Sequence, residues 1–544
     1  AQATPSSRPT RIGADKSLLL RDISAAGKPE VIFMPGERRV VVEAGRSLLE
    51  VAESNNLRIE AGCRLGVCGA DPVAVLTGME NLAQISEDEQ NTLERLGLAQ
   101  NTRMACSARV HGPCTISLTP ERPKELTESQ IFNLKVDTAI ANVVIIGNGI
   151  AGVTAADHVR RRHPRCEIHL IAMEKYHLYN RIAIERLIYG RSAMQGLYLQ
   201  PDNWYDDLKI TCWLNTRALR IDRDARTVVL GTGEALSYDR LILATGSSSV
   251  IPAIDGFGIE GSFVLRQAED ALRMRAFAQE YGCRRAVVAG GGLLGLEAAY
   301  ALYKLGLRVS VLERSEWLLR RQLDARGAQF LREYLEGLGV EILVQADTTA
   351  VTGNGRVQEV LLKDGRTLPC DLFLAAAGIT PNIDLARDAG LDVKRGVVVD
   401  DRMCTSAAGI YAAGDVAEYR GQVYGLWPVA GEQAQIAAIN ALGGDKLYKG
   451  VVPVTILKVV GVDLMSVGNF QPEAEGDLVI AFEDTDEHRY RKLVISGGKL
   501  VGAILLGYPL DATLVSAAVK KGVDVTPALS TLQSGDWSVL STLK

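Results

Sequence analysis

The stretch Val143-Val-Ile-Ile-Gly147-Asn-Gly149-Ile-Ala-Gly152 reads as an apolar strand, a glycine turn and the opening of a helix. A second stretch, Ala286-Val-Val-Ala289-Gly290-Gly-Gly292-Leu-Leu-Gly295, repeats the pattern far downstream. In such a turn the first glycine permits the tight bend, the second lets the backbone approach a pyrophosphate, and the third lets helix pack on strand. The helix N-terminus then faces the phosphate charge. An acidic residue follows each copy, Glu174 after the first and Glu313 after the second. One copy alone is a weak signal. Two in register imply two dinucleotides bound side by side.

Working outward, 544 residues are too many for one core and imply about three or four domains. The composition, 47% hydrophobic and 23% charged with a net charge of -5, is that of a soluble globular chain. Mild acidity without a Lys/Arg-rich block argues against nucleic acid as partner. No apolar run approaches the roughly 20 residues a membrane helix needs. The segment from Ala1 to Lys16 is polar and lacks the apolar core of a secretion signal. Nine cysteines, odd in number and unevenly spread, fit free thiols and metal ligands in a reducing cytoplasm rather than a disulfide framework.

Residues 1–27, rich in Ser, Pro and Arg, read as a flexible tail. A small module follows over 28–120: strand Val31–Phe33, a turn at Pro35-Gly36, strand Arg39–Val42, helix Ser47–Asn55, then a cysteine loop. The polar segment Thr119 to Lys135 reads as a linker, spanning 121–140 between domains. Strands then alternate with helices as in parallel sheets. The expected division is a first dinucleotide unit over 141–260, a second over 261–380, a return to the first over 381–445, and a C-terminal domain over 446–544. That last part switches to alternating strands such as Leu478–Phe482 and Lys492–Ile495.

Four segments together carry a family resemblance: the Gly147 turn, Ala244-Thr245-Gly246 after strand Leu241–Leu243, the Gly290 turn, and Tyr411-Ala-Ala-Gly414-Asp415-Val416. From about residue 141 onward the chain resembles the flavoprotein reductases with two dinucleotide folds, the family of rubredoxin reductase, oxygenase-type ferredoxin reductases and the flavoprotein half of NAD(P)H nitrite reductase. The resemblance implies an α/β architecture with two Rossmann-like domains, one for FAD and one for NAD, followed by an α+β domain. It implies that Gly147, Gly149, Gly152 and Glu174 hold the adenosine half of FAD, and that Gly414-Asp415 meets its ribityl and pyrophosphate. A carboxylate in that place accepts a hydroxyl hydrogen bond while backbone N–H groups take the phosphate. Tyr179-Asn180-Arg181 matches a segment that in rubredoxin and nitrite reductases runs along the FAD, making Arg181 an FAD contact. The residues after it, Ile182-Ala-Ile-Glu185, lack the Pro-Pro and Lys of many relatives, so no catalytic lysine is assigned there. Gly290, Gly292, Gly295 and Glu313 belong to the nicotinamide nucleotide, with Glu313 favouring NADH over NADPH and Arg314 opposing it. Gly378-Ile-Thr-Pro381-Asn382 and Leu426-Trp427-Pro428 match segments near the nicotinamide and the flavin ring. Cys166, Cys212, Cys283, Cys370 and Cys404 are isolated, which speaks against redox-active disulfide chemistry.

Ala61-Gly62-Cys63-Arg-Leu-Gly-Val-Cys68-Gly-Ala-Asp71-Pro72, with Arg103-Met-Ala-Cys106 downstream, resembles a plant-type or adrenodoxin-like β-grasp ferredoxin with a 2Fe-2S cluster. The glycines let backbone N–H groups turn toward sulfur, and the distant cysteine closes the site. Where that pattern has its third cysteine this chain has Asp71. Three readings stay open: Asp71 ligates iron, giving the set Cys63, Cys68, Asp71 and Cys106; Cys114 replaces it; or the module persists without a cluster as a docking domain.

The expected function is transfer from NADH through FAD and a 2Fe-2S cluster to a redox protein partner, because hydride brings two electrons together while the cluster takes one. Two alternatives are a non-catalytic relay or docking subunit of a larger complex, and reverse reduction of NAD(P)+ from a low-potential donor. A homodimer contact through the C-terminal domain is a further expectation. No acid-base residue is assigned.

Overall fold

The computed structural model describes residues 28–543, apart from 58, 60–63, 65, 68, 97, 121–136, 138, 452, 453 and 460. The expected tail and most of the linker lie outside the described residues.

The N-terminal module is a five-stranded mixed sheet in the order Arg38–Val41, Glu30–Met34, Cys114–Ser117, Pro72–Thr77, Thr102–Met104. Glu30–Met34 alternates so that Val31 and Phe33 point into the core. It pairs antiparallel with Arg38–Val41 and parallel with Cys114–Ser117, which gives the β-grasp arrangement. Helix Leu48–Ser54 begins at Ser47 because Ser47 and Glu50 satisfy each other's backbone N–H groups, and it buries Leu48, Leu49, Val51 and Ala52. A second helix, Glu87–Leu96, is pinned to the sheet by a buried ion pair. The Arg103 guanidinium donates to both carboxylate oxygens of Glu89 at 2.8 and 3.0 Å. Removing one partner of such a pair costs about 3–5 kcal/mol, because the other charge stays buried.

The first dinucleotide unit is a parallel sheet in the order Ile410–Ala412, Arg240–Leu243, Asn142–Ile146, Glu167–Ile171, Ile210–Trp213. Its central strands read as unbroken apolar runs because both faces are covered. Val143, Val144 and Ile145 are fully buried. Helices Ile150–Arg162 and Trp427–Ala441 pack on each other along one face, and the three-stranded sheet ending in Ala235–Ser237 packs on strand Asn142–Ile146 and shares its core. Strand Ile410–Ala412 returns to this sheet long after Arg240–Leu243. The second unit lies between, as a parallel sheet Ser262–Val264, Leu372–Ala375, Arg285–Ala289, Arg308–Glu313, Glu341–Val344. In both sheets the chain winds outward one way from the glycine-turn strand and later returns on its other side. The order therefore reverses at that strand, which opens a crevice at its carboxyl end.

The C-terminal domain is an antiparallel five-stranded sheet followed by helix Pro509–Lys521. Leu464, Tyr490, Ile504 and Leu506 join the core of the second unit, and Lys492 and Tyr490 reach Asp324 at 2.7 and 3.0 Å. Among the described residues no helix is long and apolar enough to cross a membrane.

Candidate functional site

The glycines of each turn divide into different local roles. A Cβ on Gly147 would sit 2.0 Å from the Ala244 carbonyl oxygen, and one on Gly152 would sit 1.7 Å from the Gly147 carbonyl. Both places are closed by backbone. A Cβ on Gly149 would meet nothing within 4 Å. The second turn repeats this: Gly290 faces the Ala376 carbonyl at 2.4 Å, Gly295 faces the Gly290 carbonyl at 2.0 Å, and Gly292 faces open space. Gly149 and Gly292 thus border cradles that a methyl group would partly fill, at the N-termini of helices Ile150–Arg162 and Leu293–Lys304.

One cavity of about 720 Å³ opens at the reversal point of the first sheet. It is lined by Gly147, Gly149, Glu174, Arg181, Ala244, Thr245, Gly246, Gly414, Asp415 and Trp427, so residues far apart in the chain converge on it. Gly152 does not line it and serves helix-on-strand packing. The Asp415 carboxylate is held by two distant segments. Its Oδ2 accepts from Arg266 Nη2 at 2.6 Å and from Ser247 Oγ at 2.7 Å, while Gly414 N–H donates to Gln433. Thr245 and Asn382 exchange side-chain to backbone bonds at 2.9 and 2.8 Å, closing the cavity floor. Glu174 accepts from the Tyr179 hydroxyl at 2.7 Å and from Arg181. Glu174 and Arg181 in this wall are thus joined to each other.

The second turn lies apart from that cavity, which meets its helix only through Leu293, Leu294 and Glu297. Glu313 ends its strand with both oxygens taken by backbone N–H groups, Gly291 at 2.8 Å and Ser315 at 2.7 Å. Each carboxylate oxygen keeps a lone pair for a hydroxyl. Arg314 is exposed beside it. Gly378, with φ +103, lies outside the cavity wall, to which its segment contributes Ile379 and Asn382 instead. Trp427 opens helix Trp427–Ala441 and lines the cavity.

Three residues escaped the sequence reading: Ser247, Arg266 and Glu297. Nothing local marks the first two. Glu297 had a signal, as the lone charge in the apolar helix segment Leu293-Leu-Gly-Leu-Glu297-Ala-Ala. Its carboxyl is held well above the usual range by burial and by Glu185. Burial likewise lifts Glu185 to about 7 against the pull of Arg186, which stands 3.7 Å away.

In the N-terminal module Cys63 and Cys68 lie outside the described residues. Asp71 and Cys106 come together in the interior. Asp71 is 1% exposed; its Oδ2 accepts from Cys106 N–H at 2.6 Å, and its Oδ1 meets no hydrogen-bond donor among the described residues. The Cys106 sulfur accepts from Gly66 N–H at 3.0 Å. An N–H directed at sulfur, beside a buried carboxylate oxygen with spare capacity, fits a cluster that takes Cys106 and Asp71 as ligands. Cys114 is not brought there. It sits on the closing strand Cys114–Ser117 against Gly78, in the apolar core, where burial pushes its thiol up to about 11. In the reductase part, burial also raises the thiols of Cys166 and Cys283 to about 11 and of Cys212 and Cys370 to about 12. All five cysteines of that part are free, so no redox disulfide exists among the described residues.

Residues 141–434 match the pyridine nucleotide-disulphide oxidoreductase family, residues 453–523 the rubredoxin NAD+ reductase C-terminal domain, and residues 32–111 the 2Fe-2S iron-sulfur cluster binding domain. The NAD(P)H nitrite reductase of Bacillus subtilis (strain 168) is 35% identical over 395 residues, 72% of this chain and 49% of that one. The chain thus spans about half the length of that relative. The NADH-rubredoxin oxidoreductase of Clostridium acetobutylicum is 31% identical over 398 residues, 72% of this chain and 97% of that one. Among solved structures, the covalent putidaredoxin reductase–putidaredoxin complex aligns with a TM-score of 0.67 at 26% identity, over 75% of this chain and 99% of the matched chain.

Proposed function

The chain belongs to the pyridine nucleotide-disulphide oxidoreductase family, as an FAD-dependent NAD(P)H oxidoreductase joined to a 2Fe-2S domain, and from that premise we propose that it passes electrons from NADH to a redox protein partner. The observation that carries this reading is the shared cavity. The wall formed by Gly147, Gly149, Thr245 and Asp415 is continuous with Leu293, Leu294 and Glu297 from the second nucleotide unit, which supports a nucleotide at the second turn reaching toward a flavin held in this cavity.

Flavin chemistry, when FAD is bound, lets a two-electron hydride donor feed a one-electron centre. The side chains here bind and orient. Gly149 leaves room for a pyrophosphate at a helix N-terminus, and Asp415, fixed by Arg266 and Ser247, presents a carboxylate of set direction to a ribityl hydroxyl. Arg181, Glu174 and Trp427 all line the cavity; in this reading Glu174 and Arg181 would meet the adenosine side of FAD and Trp427 the ring side. Glu313, pinned by Gly291 and Ser315, keeps negative charge where a 2′-phosphate would lie and so favours NADH. On the N-terminal side Cys63, Cys68, Asp71 and Cys106 would hold the 2Fe-2S cluster, with Asp71 as the oxygen ligand. The isolated, protonated thiols of the reductase part support exit through the cluster rather than through a dithiol, and they suit a cytoplasmic setting.

The test is anaerobic titration of the purified full chain with NADH. One FAD per chain should bleach with about one equivalent of NADH, followed by the spectral change of a reduced 2Fe-2S centre. Absence of flavin after gentle purification, or FMN in its place, would defeat the proposal.

A further inference from the structure

The N-terminal module touches the rest of the chain at a place used by neither nucleotide turn. Its helix Glu87–Leu96 lies against helices Ile150–Arg162 and Trp427–Ala441. Asp88, in the first turn, takes Lys520 Nζ on both carboxylate oxygens, each at 2.7 Å, from the last turn of helix Pro509–Lys521. The next residue, Glu89, faces inward and holds Arg103 and the Met104 N–H at 2.8 Å, two residues before Cys106. One helical turn thus grips the reductase with one carboxylate and the Cys106 strand with its neighbour. Beside this contact a narrow cavity of about 190 Å³ separates Arg46, Arg64 and Cys106 of the module from Asp463, Met465 and Tyr508 of the C-terminal domain. Charge is complementary at the helix, acid to lysine; at the cavity the Arg64 guanidinium is paired with Glu53 of its own module.

We propose that this face of the C-terminal domain, with helix Trp427–Ala441, is the docking surface for the chain's own ferredoxin-like module, and that docking covers the Cys106 edge against outside proteins. The proposal deepens the function given above, since it says that an outside acceptor meets that edge only after the module lifts away. The Asp88–Lys520 pair is partly exposed, at 42% and 33% of the two side chains. Pairs of this kind shift an equilibrium by only about 1.5- to 5-fold. It is therefore a weak latch, and salt should loosen it, because the screening length falls from ~30 Å at 0.01 M to ~3 Å at 1 M.

Ser54 and Thr513 line the small cavity from opposite sides. In the full chain, Ser54→Cys with Thr513→Cys should be joined within one molecule by a short bis-maleimide, with the variants carrying only one of the two added cysteines setting the background from the nine native thiols and peptide mass mapping the link. The yield at low salt should fall about threefold or more with Lys520→Glu and with Asp88→Lys, and return when both reversals are combined. Recovery in the combined variant separates docking from misfolding. Yields unchanged by either reversal and by salt, links no more abundant than in the controls with one added cysteine, or links only between two molecules would each overturn the proposal. The last result would make a second copy the occupant. Flavin content and NADH bleaching, read on the same samples, test the proposed function separately: failure there with intact, charge-dependent linking refutes the electron-transfer reading and leaves docking standing.

Discussion

Replacing Gly149 or Gly152 by alanine separates ligand approach from packing within a single turn. At Gly149 the backbone is extended, φ -82 and ψ -173, so alanine adopts it without strain, and its methyl group would touch no protein atom within 4 Å. The folded apoprotein should lose little, about 0.5–1 kcal/mol for alanine in place of glycine at a helix N-cap. The methyl group would instead occupy the approach of the pyrophosphate. Losing one charge-assisted hydrogen bond there costs about 1.5–3 kcal/mol, which is about 10- to 150-fold in FAD affinity. At Gly152 the methyl carbon would lie 1.7 Å from the Gly147 carbonyl oxygen. Contact requires about twice that separation, so turn and helix must part, at a cost of about 1–3 kcal/mol or more in the apoprotein itself. Thermal unfolding of apo and FAD-loaded forms, with FAD titration followed by fluorescence, distinguishes the two. Gly149→Ala should leave the apo midpoint nearly unchanged and shrink the FAD-induced rise; Gly152→Ala should lower the apo midpoint as well. Normal FAD affinity in Gly149→Ala would refute the assignment of that cradle to a phosphate.

Gly292→Ala, equally unopposed in its own turn, should weaken NADH binding about tenfold or more while FAD content stays full, as measured by the KM for NADH and the flavin absorbance. Asp415→Ala removes the acceptor of Arg266 and Ser247 and should lower FAD occupancy on desalting while circular dichroism of the N-terminal module is retained. Asp71→Cys should keep two irons and two sulfides and move the electron paramagnetic resonance signal toward that of ordinary ferredoxins, whereas Asp71→Ala should make the iron labile and Cys114→Ser should not. Glu185, raised by burial to about 7, binds a proton when folded that the unfolded chain has released above its ordinary pKa near 4.5. Its contribution should therefore make the apoprotein less stable as pH rises from about 4.5 to 7, by at most about 1.4 kcal/mol per pH unit, and Glu185→Gln should flatten that slope in thermal melts.

The elements set by local chemistry were legible in the chain itself. Each glycine turn lies between an apolar strand and a helix because close backbone approaches there exclude side chains, a constraint written in consecutive residues such as Gly147 to Gly152. The same holds for the cap at Ser47 with Glu50 and for the Cys63-to-Asp71 loop with its missing cysteine. Relations made across the fold left no such trace. Arg266, Ser247 and Asp415 share one carboxylate oxygen although they are separated by 149 and 168 positions from Asp415, since their meeting depends on strand Ile410–Ala412 returning to the first sheet. Glu297 comes within influence of Glu185 only because helices Glu185–Tyr189 and Leu293–Lys304 pack together. The placement of Cys114 in the core, and of Asp71 beside Cys106, was likewise decided by sheet register. Spacing along a chain determines which groups can turn toward one another within a few residues. Which distant charges share a low-dielectric interior is determined by packing alone.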